Sequence, residues 1–222
     1  MKTTTVILSA LLGFFINAAS AEAPPVKGNV GAKYSSDYNR RGEILSAEAL
    51  QAQVGFNVGL GSVDVFGDFF TNQSTDSGGA DTDETTLGLG TSLFDNNFNA
   101  YIGIYNTDLG AAEDTLEAFA SIQVETLLSP TVSVFRDTDA SLYTFEGQLS
   151  HGISLEVIDL ELAGVIGNTD STTTLDRTYV GAKLTASKTV KDNLNLYADV
   201  AVSDSDDRSN ETIWGLGLSV KF

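Results

Sequence analysis

The chain has 222 residues, enough for one domain with a sizeable interior. Thirty acidic residues against twelve basic ones give a formal charge of −18, which would repel the phosphates of nucleic acid, so no nucleic-acid partner is expected. Cysteine is absent, which excludes a disulfide framework and any cysteine-ligated metal.

The N-terminus opens with Lys2 and an apolar run from Val6 to Ala19, and Ala19-Ser20-Ala21 fits a small-residue cleavage site before Glu22. This pattern predicts a secretory signal peptide over residues 1–21. The run is too short for the roughly 20 residues that a membrane-spanning helix needs. A short periplasmic segment is expected over 22–28, and the folded domain over 29–222. No later stretch resembles a membrane helix. Membrane residence must then come from strands, because only helices and closed barrels satisfy their backbone groups in lipid.

From Asn29 onward, apolar and polar residues alternate in twelve short runs separated by Gly, Asn, Asp, Ser and Thr clusters. A period of two is the strand signal. In chain order, the predicted outward faces begin with Val30, Ala32 and Tyr34, then Leu50 to Val58, Val63 to Phe69, and Thr85 to Leu93. Phe98, Ala100, Ile102 and Ile104 follow, then Leu116 to Val124. The seventh run is the weakest, with Val132 and Val134 before Arg136 interrupts. Tyr143 to Leu149, Leu160 to Ile166, Val180 to Ala186, Leu194 to Val202 and Trp214 to Phe222 complete the set. The expected fold is all-β: an antiparallel up-and-down transmembrane β-barrel of about twelve strands, with ten or fourteen as alternatives.

Polar stretches such as Asn72 to Asp83, Asn168 to Leu175 and Ser203 to Glu211 follow odd-numbered strands, and tighter links such as Leu60-Gly61-Ser62 and His151-Gly152 follow even ones. Long loops on one side and short turns on the other are expected of an outer-membrane barrel, with both termini on the periplasmic side. Tyr34, Phe69, Tyr143, Phe145 and Trp214 fall near the outer strand ends, and Phe56, Phe98 and Phe222 near the periplasmic ends. That predicts two aromatic girdles at the lipid–water boundaries. A soluble β-sandwich would show the same alternation but would gather its aromatics at mid-strand.

Gly217, Val220 and Phe222 lie in a last strand that ends on a terminal aromatic. The run resembles the insertion signal of bacterial outer-membrane proteins, and the resemblance implies recognition by the outer-membrane assembly machinery. Ser36-Asp37-Tyr38-Asn39-Arg40-Arg41-Gly42 resembles the S-D-Y-x-x-R-G opening of a proteobacterial family of conserved outer-membrane barrels without assigned function. Asp37, Tyr38, Arg41 and Gly42 carry the match, whereas Ile44 stands where that family has serine and no Gln-Gly pair follows. Physically, Asp37 and Arg41 are placed to pair across a tight first loop, with Gly42 supplying a positive φ.

Catalysis is not expected. Acyl and peptide hydrolysis at the outer surface generally needs a histidine base, and the single histidine, His151, falls in a predicted periplasmic turn. No phosphate-cradling G-x-x-x-x-G-K loop and no H-E-x-x-H occurs, so no cofactor is expected. Asp76 to Glu84 and Ser203 to Glu211 hold acids that could take calcium weakly, but neither fits an EF-hand pattern, and solvated loops are the safer reading.

The inward faces carry Asp64, Asp68, Glu117, Glu146, Asp159, Glu161 and Asp199 against Lys33, Arg177, Lys183 and Lys221. An acidic lining favours cations. Inward Phe66, Tyr101, Tyr105, Phe119, Tyr179 and Tyr197 would narrow the lumen. About eight strands leave a filled barrel and 16–18 an open channel, so about twelve predicts a narrow or partly blocked one. The first expectation is a small porin-like channel for ions or small polar solutes, mildly cation-preferring. The alternative is a non-conducting surface barrel whose acidic outer loops bind a partner or cation or serve the envelope. Outer-membrane lipid is a partner in either case.

Overall fold

The computed structural model describes residues 26–76, 79–110, 114–140, 142–170, 176–206 and 208–222. The expected signal peptide lies outside the described residues. Twelve antiparallel strands form one closed barrel, each paired with its sequence neighbours, and the last pairs with the first. They are β1 (Val26–Arg40), β2 (Glu43–Leu60), β3 (Val63–Ser74), β4 (Thr82–Leu93), β5 (Phe98–Asp108) and β6 (Thr115–Val124). The circuit continues with β7 (Thr131–Asp137), β8 (Tyr143–Ser154), β9 (Asp159–Asp170), β10 (Arg177–Lys191), β11 (Leu194–Ser205) and β12 (Arg208–Lys221).

The two faces of the wall are inverted relative to a water-soluble protein. Ile102, Leu162, Ile166 and Leu216 are each 58–59% exposed on the outside, while the buried set includes Ser35, Asn72, Thr82, Thr107, Glu117 and Asp199. Leaving that much aliphatic surface in water would forfeit about 25 cal/mol for every Å2 exposed. Lipid on the outside and a hydrated, hydrogen-bonded interior remove the contradiction. Tyr34 packs on Trp214 at one rim, and Phe94 on Phe98 at the other.

Closure rests on the terminal strand. Asn29 to Ser35 pair with Lys221 to Gly215, and the Gly28 and Phe222 backbones exchange hydrogen bonds of 2.7 and 2.9 Å. A barrel closed this way has no free edge to satisfy. Val220 lies opposite both Val30 and Leu194. Gly217 has a packing reason of its own: the Tyr197 ring lies over it, and a Cβ would come within 2.8 Å of the Ala32 carbonyl oxygen.

Several boundaries differ from the sequence reading. β1 begins at Val26, so the barrel takes in the end of the expected 22–28 segment. The first loop is a hairpin: β1 runs to Arg40, β2 starts at Glu43, and only Arg41 and Gly42 turn between them. Ser203 to Glu211, read as a long loop, is the end of β11 and the start of β12. The short-turn side holds one of the longer links, 125–130. Polar residues at the outer ends of these hairpins are compatible with strand above the membrane, where both faces are wet, so polarity marks the rim rather than a break in pairing. β7, the weakest prediction, continues through Arg136, whose guanidinium lies 5.8 Å from the Tyr143 ring centre on the neighbouring strand.

Candidate permeation site in the barrel lumen

Inward side chains divide the lumen into two unlike halves. On β3 to β7 they are large. Phe66 meets Tyr101 edge-on at 5.8 Å and Phe119 at 6.4 Å, and Phe119 lies 5.9 Å from Phe135. Each such aromatic pair adds about 0.5–1.5 kcal/mol beyond its buried area. Beneath them, Ser121 and Ser133 share a 2.9 Å hydrogen bond across the β6–β7 pair. This half is packed.

Above the aromatic stack, the β1–β2 turn reaches across the mouth. Arg41 has φ 50° and Gly42 φ 79°, the left-handed region that glycine tolerates and other residues enter at a cost. Arg41 Nη1 lies 2.6 Å from Glu117 Oε1 on β6, and its guanidinium sits 4.3 Å above the Phe135 ring on β7. Arg40 reaches Glu117 at 3.3 Å and Glu84 on β4 at 3.6 Å, and lies 5.2 Å from the Tyr105 ring centre. Tyr38 donates to Glu84 and packs on Phe70 at 5.2 Å. β7 is six strands from β1 in a ring of twelve, so Arg41 touches the opposite wall.

The same turn is anchored on the other side. Ser205 Oγ donates to the Gly42 carbonyl at 3.1 Å, Asn39 Nδ2 donates to Ser203 Oγ at 3.3 Å, and Arg177 pairs with Glu43 at 2.8 Å. A Cβ at Gly42 would stand 2.7 Å from the Tyr179 Cβ. The turn can lie this low only because glycine occupies that place.

On β8 to β12 and β1, much of the inward set is small: Ala163, Gly181, Ala201, Ser203, Gly215 and Gly217. The space they leave is a cavity of about 420 Å3 in the outer part of the lumen and a second of about 320 Å3 toward the other rim. Both are lined by Lys33, Gln51, Phe70, Lys183 and Asp199, so these five side chains stand between the two. Lys33 Nζ is paired with Asp199 Oδ1 at 2.9 Å, and the Asp199 side chain is only 3% exposed. Lys183 projects into the junction between Ala163 and Ala201, its partners in the flanking strands.

The charges expected in the lumen are placed as follows. Asp64 and Asp68 lie on the inner face of β3, and Asp68 accepts from Gln53 Nε2 at 2.9 Å. Glu146 accepts from Tyr179 Oη at 2.6 Å and from Gln148. Asp159, Glu161 and Lys221 are exposed near the turn-side rim. Arg177 is at the outer rim with Glu43 rather than in the lumen. Asp37 lines the outer cavity, but Arg41 bonds Glu117, so the expected Asp37–Arg41 pair does not form. Asp81 accepts from the Ser74 amide and Asp206 from the Thr178 amide, and no group of three metal-ligating side chains occurs among the described residues.

Sequence reasoning missed Arg40, Glu84, Phe70 and Phe135. By polarity Arg40 and Glu84 read as loop residues, although alternation back from Leu87 through Thr86 points Glu84 inward. Phe70 follows from the same parity as Phe66 and Asp68.

The closed wall, apolar belt and polar lumen define the fold class of bacterial outer-membrane β-barrels. The comparisons agree. The KdgM porin superimposes with a TM-score of 0.58 at 10% identity, over 87% of this chain and 99% of that one. An outer-membrane channel from Pseudomonas putida F1 gives 0.59 at 11% identity, over 90% and 96%. The outer-membrane phospholipase A of Escherichia coli, as an active-site mutant, gives 0.53 at 13% identity, over 89% and 90%. No family model matches the sequence, and no curated protein does.

Proposed function

We propose that this chain is a small diffusion channel of the bacterial outer membrane, passing ions or small polar solutes through the open half of its lumen. The observation that carries the reading is the pair of cavities on either side of Lys33, Lys183 and Asp199, beside a half filled with aromatic rings. The KdgM porin has been solved in complex with disordered oligogalacturonate, in a barrel that superimposes on this one with a TM-score of 0.56 at 9% identity. The fold also hosts a hydrolase. Here, however, the single histidine sits at the turn-side rim with Nδ1 2.7 Å from the Leu127 carbonyl oxygen, away from the outer mouth.

Mild cation preference follows from which inward charges remain without an opposite partner. Lys33 cancels Asp199, and Arg40 and Arg41 cancel Glu84 and Glu117. Along the two cavities, Asp37 and Glu146 then outnumber Lys183. Carboxylates lining a water-filled path favour cations.

Refolded protein in planar bilayers under a salt gradient tests the reading. Discrete current steps with a cation-leaning reversal potential are expected, and replacing Asp37 by asparagine together with Glu146 by glutamine, both in the outer cavity wall, moves the reversal potential toward zero. A correctly folded but silent barrel would favour the second reading, a non-conducting surface barrel. The packed aromatic half and the strapped mouth are the observations on that side.

A further inference from the structure

We propose that the β1–β2 turn is the channel's size filter: a strap across the outer mouth, held shut by the Arg40 and Arg41 pairs to Glu84 and Glu117. The inference rests on the channel reading. It also gives Tyr38, Arg41 and Gly42 of the opening motif a physical task.

Four observations converge on it. Among the described residues the hairpin is the longest, with β1 of 15 and β2 of 18 residues, so it has length to spare above its neighbours. It uses that length to cross the mouth rather than to stand up in solvent. A positive φ of 49° at Glu48 breaks the alternation, beyond it Tyr38 and its partner Ser46 both reach the interior, and the register then shifts between Tyr38 and Asn39. Ser46 accepts from Asn72, which is completely buried, at 2.9 Å.

The far contacts are ionic and directional. The Arg40, Arg41, Glu84 and Glu117 side chains are 7–18% exposed, partly dry, so loss of one partner strands a charge where water is scarce. An arginine over an aromatic face adds a further attraction that needs the cation. Finally, Tyr38, Asn39, Arg41 and Gly42 all line the outer cavity, so the underside of the strap is also the wall of the passage. A shift of the turn changes the width of the path directly.

Each device is specific to a crossing. A turn that merely closed a hairpin would need no glycine pressed on Tyr179, no guanidinium on Phe135 and no carboxylate waiting on β6. Arg41 and Glu117 are therefore the residues that set which solutes enter, through the position of the turn.

The test uses the full barrel, refolded, with Glu117→Gln, Glu117→Ala and the charge-keeping Arg41→Lys. Two readouts are taken. The first is trypsin cleavage after Arg40 or Arg41 in detergent micelles, assigned by mass spectrometry; it reports the strap without any current. The second is single-channel conductance with neutral polyethylene glycols of graded size, which reports the exclusion limit. In the Glu117 single variants, cleavage is expected to rise about tenfold, well below the release for a fully buried pair. The exclusion limit shifts to larger polymers in both, and Arg41→Lys, which keeps the positive charge, stays near the wild-type limit.

Unchanged cleavage would overturn the strap. Increased cleavage with an unchanged exclusion limit in a conducting wild type would overturn the filter while leaving the channel reading intact. A silent wild type that conducts once Glu117 is lost would overturn the permanently open channel and support the strap. Silence in every variant would overturn both.

Discussion

The two halves of the lumen are built on the same wall. Strands β3 to β7 and strands β8 to β12 share the same alternation, pair in the same antiparallel way and present similar aliphatic belts to lipid. They differ in the volume of what points inward. Phe66, Tyr101, Tyr105, Phe119 and Phe135 fill one side, while alanine, glycine and serine around Tyr179 and Tyr197 leave two cavities on the other. A ring of twelve lies between barrels that fill themselves and barrels that hold open water. At that size side-chain volume decides, and this chain makes both choices in one lumen.

The comparison can be broken most severely from the open side. Ala201 lines the outer cavity opposite Lys183. Ala201→Trp is expected to cut single-channel conductance about tenfold or more, since the passage has no second wall to retreat to. The packed side should answer in stability instead. Phe119→Ala removes a ring held between Phe66 and Phe135 and is expected to cost about 3 kcal/mol in urea unfolding, as large cavities do. Its conductance should stay near wild type, because Phe66 and Tyr101 still fill the level below.

A smaller effect tests the outside of the same wall. Ile102 is paired with Leu89 and Ala120 on the lipid face, and Ile102→Lys should lower folding stability in lipid bilayers by about 2 kcal/mol. If Ile102 faced water in a soluble sandwich, the change would be close to neutral. The smallest expected effect is Ser121→Ala, about 1 kcal/mol for one hydrogen bond to Ser133, with no change in current.

Most of the wall was legible in the sequence. Alternation located every strand, including the short β7, because the side-chain period of two survives as long as one face meets lipid. The parity of that pattern also placed Lys33, Glu117, Glu146, Lys183 and Asp199 inside. What it could not show was the outer rim. Above the membrane both faces of a strand are wet, so Glu43 to Ala49, Ser203 to Ser205 and Arg208 to Glu211 read as loops although they belong to paired strands. The partners of the lumen charges were equally hidden. Arg41 and Glu117 stand 76 positions apart in the chain and meet only because the barrel closes and the turn folds inward. Asp37, a few residues away, looked like the nearer partner. The two halves of the lumen, too, emerge only when inward residues are ordered around the ring rather than along the chain.

One paired measurement tests the central claim, that solutes pass along the open half and not the packed one. Single cysteines are introduced at Ala163, in the outer cavity wall, and at Ser133, beneath the aromatic stack. Both proteins are refolded, and single-channel current is followed as a bulky thiol reagent is added. The account predicts that current through the Ala163→Cys channel collapses, while the Ser133→Cys channel conducts as before. Block at Ser133→Cys with Ala163→Cys unaffected would place the passage in the wrong half and contradict the account.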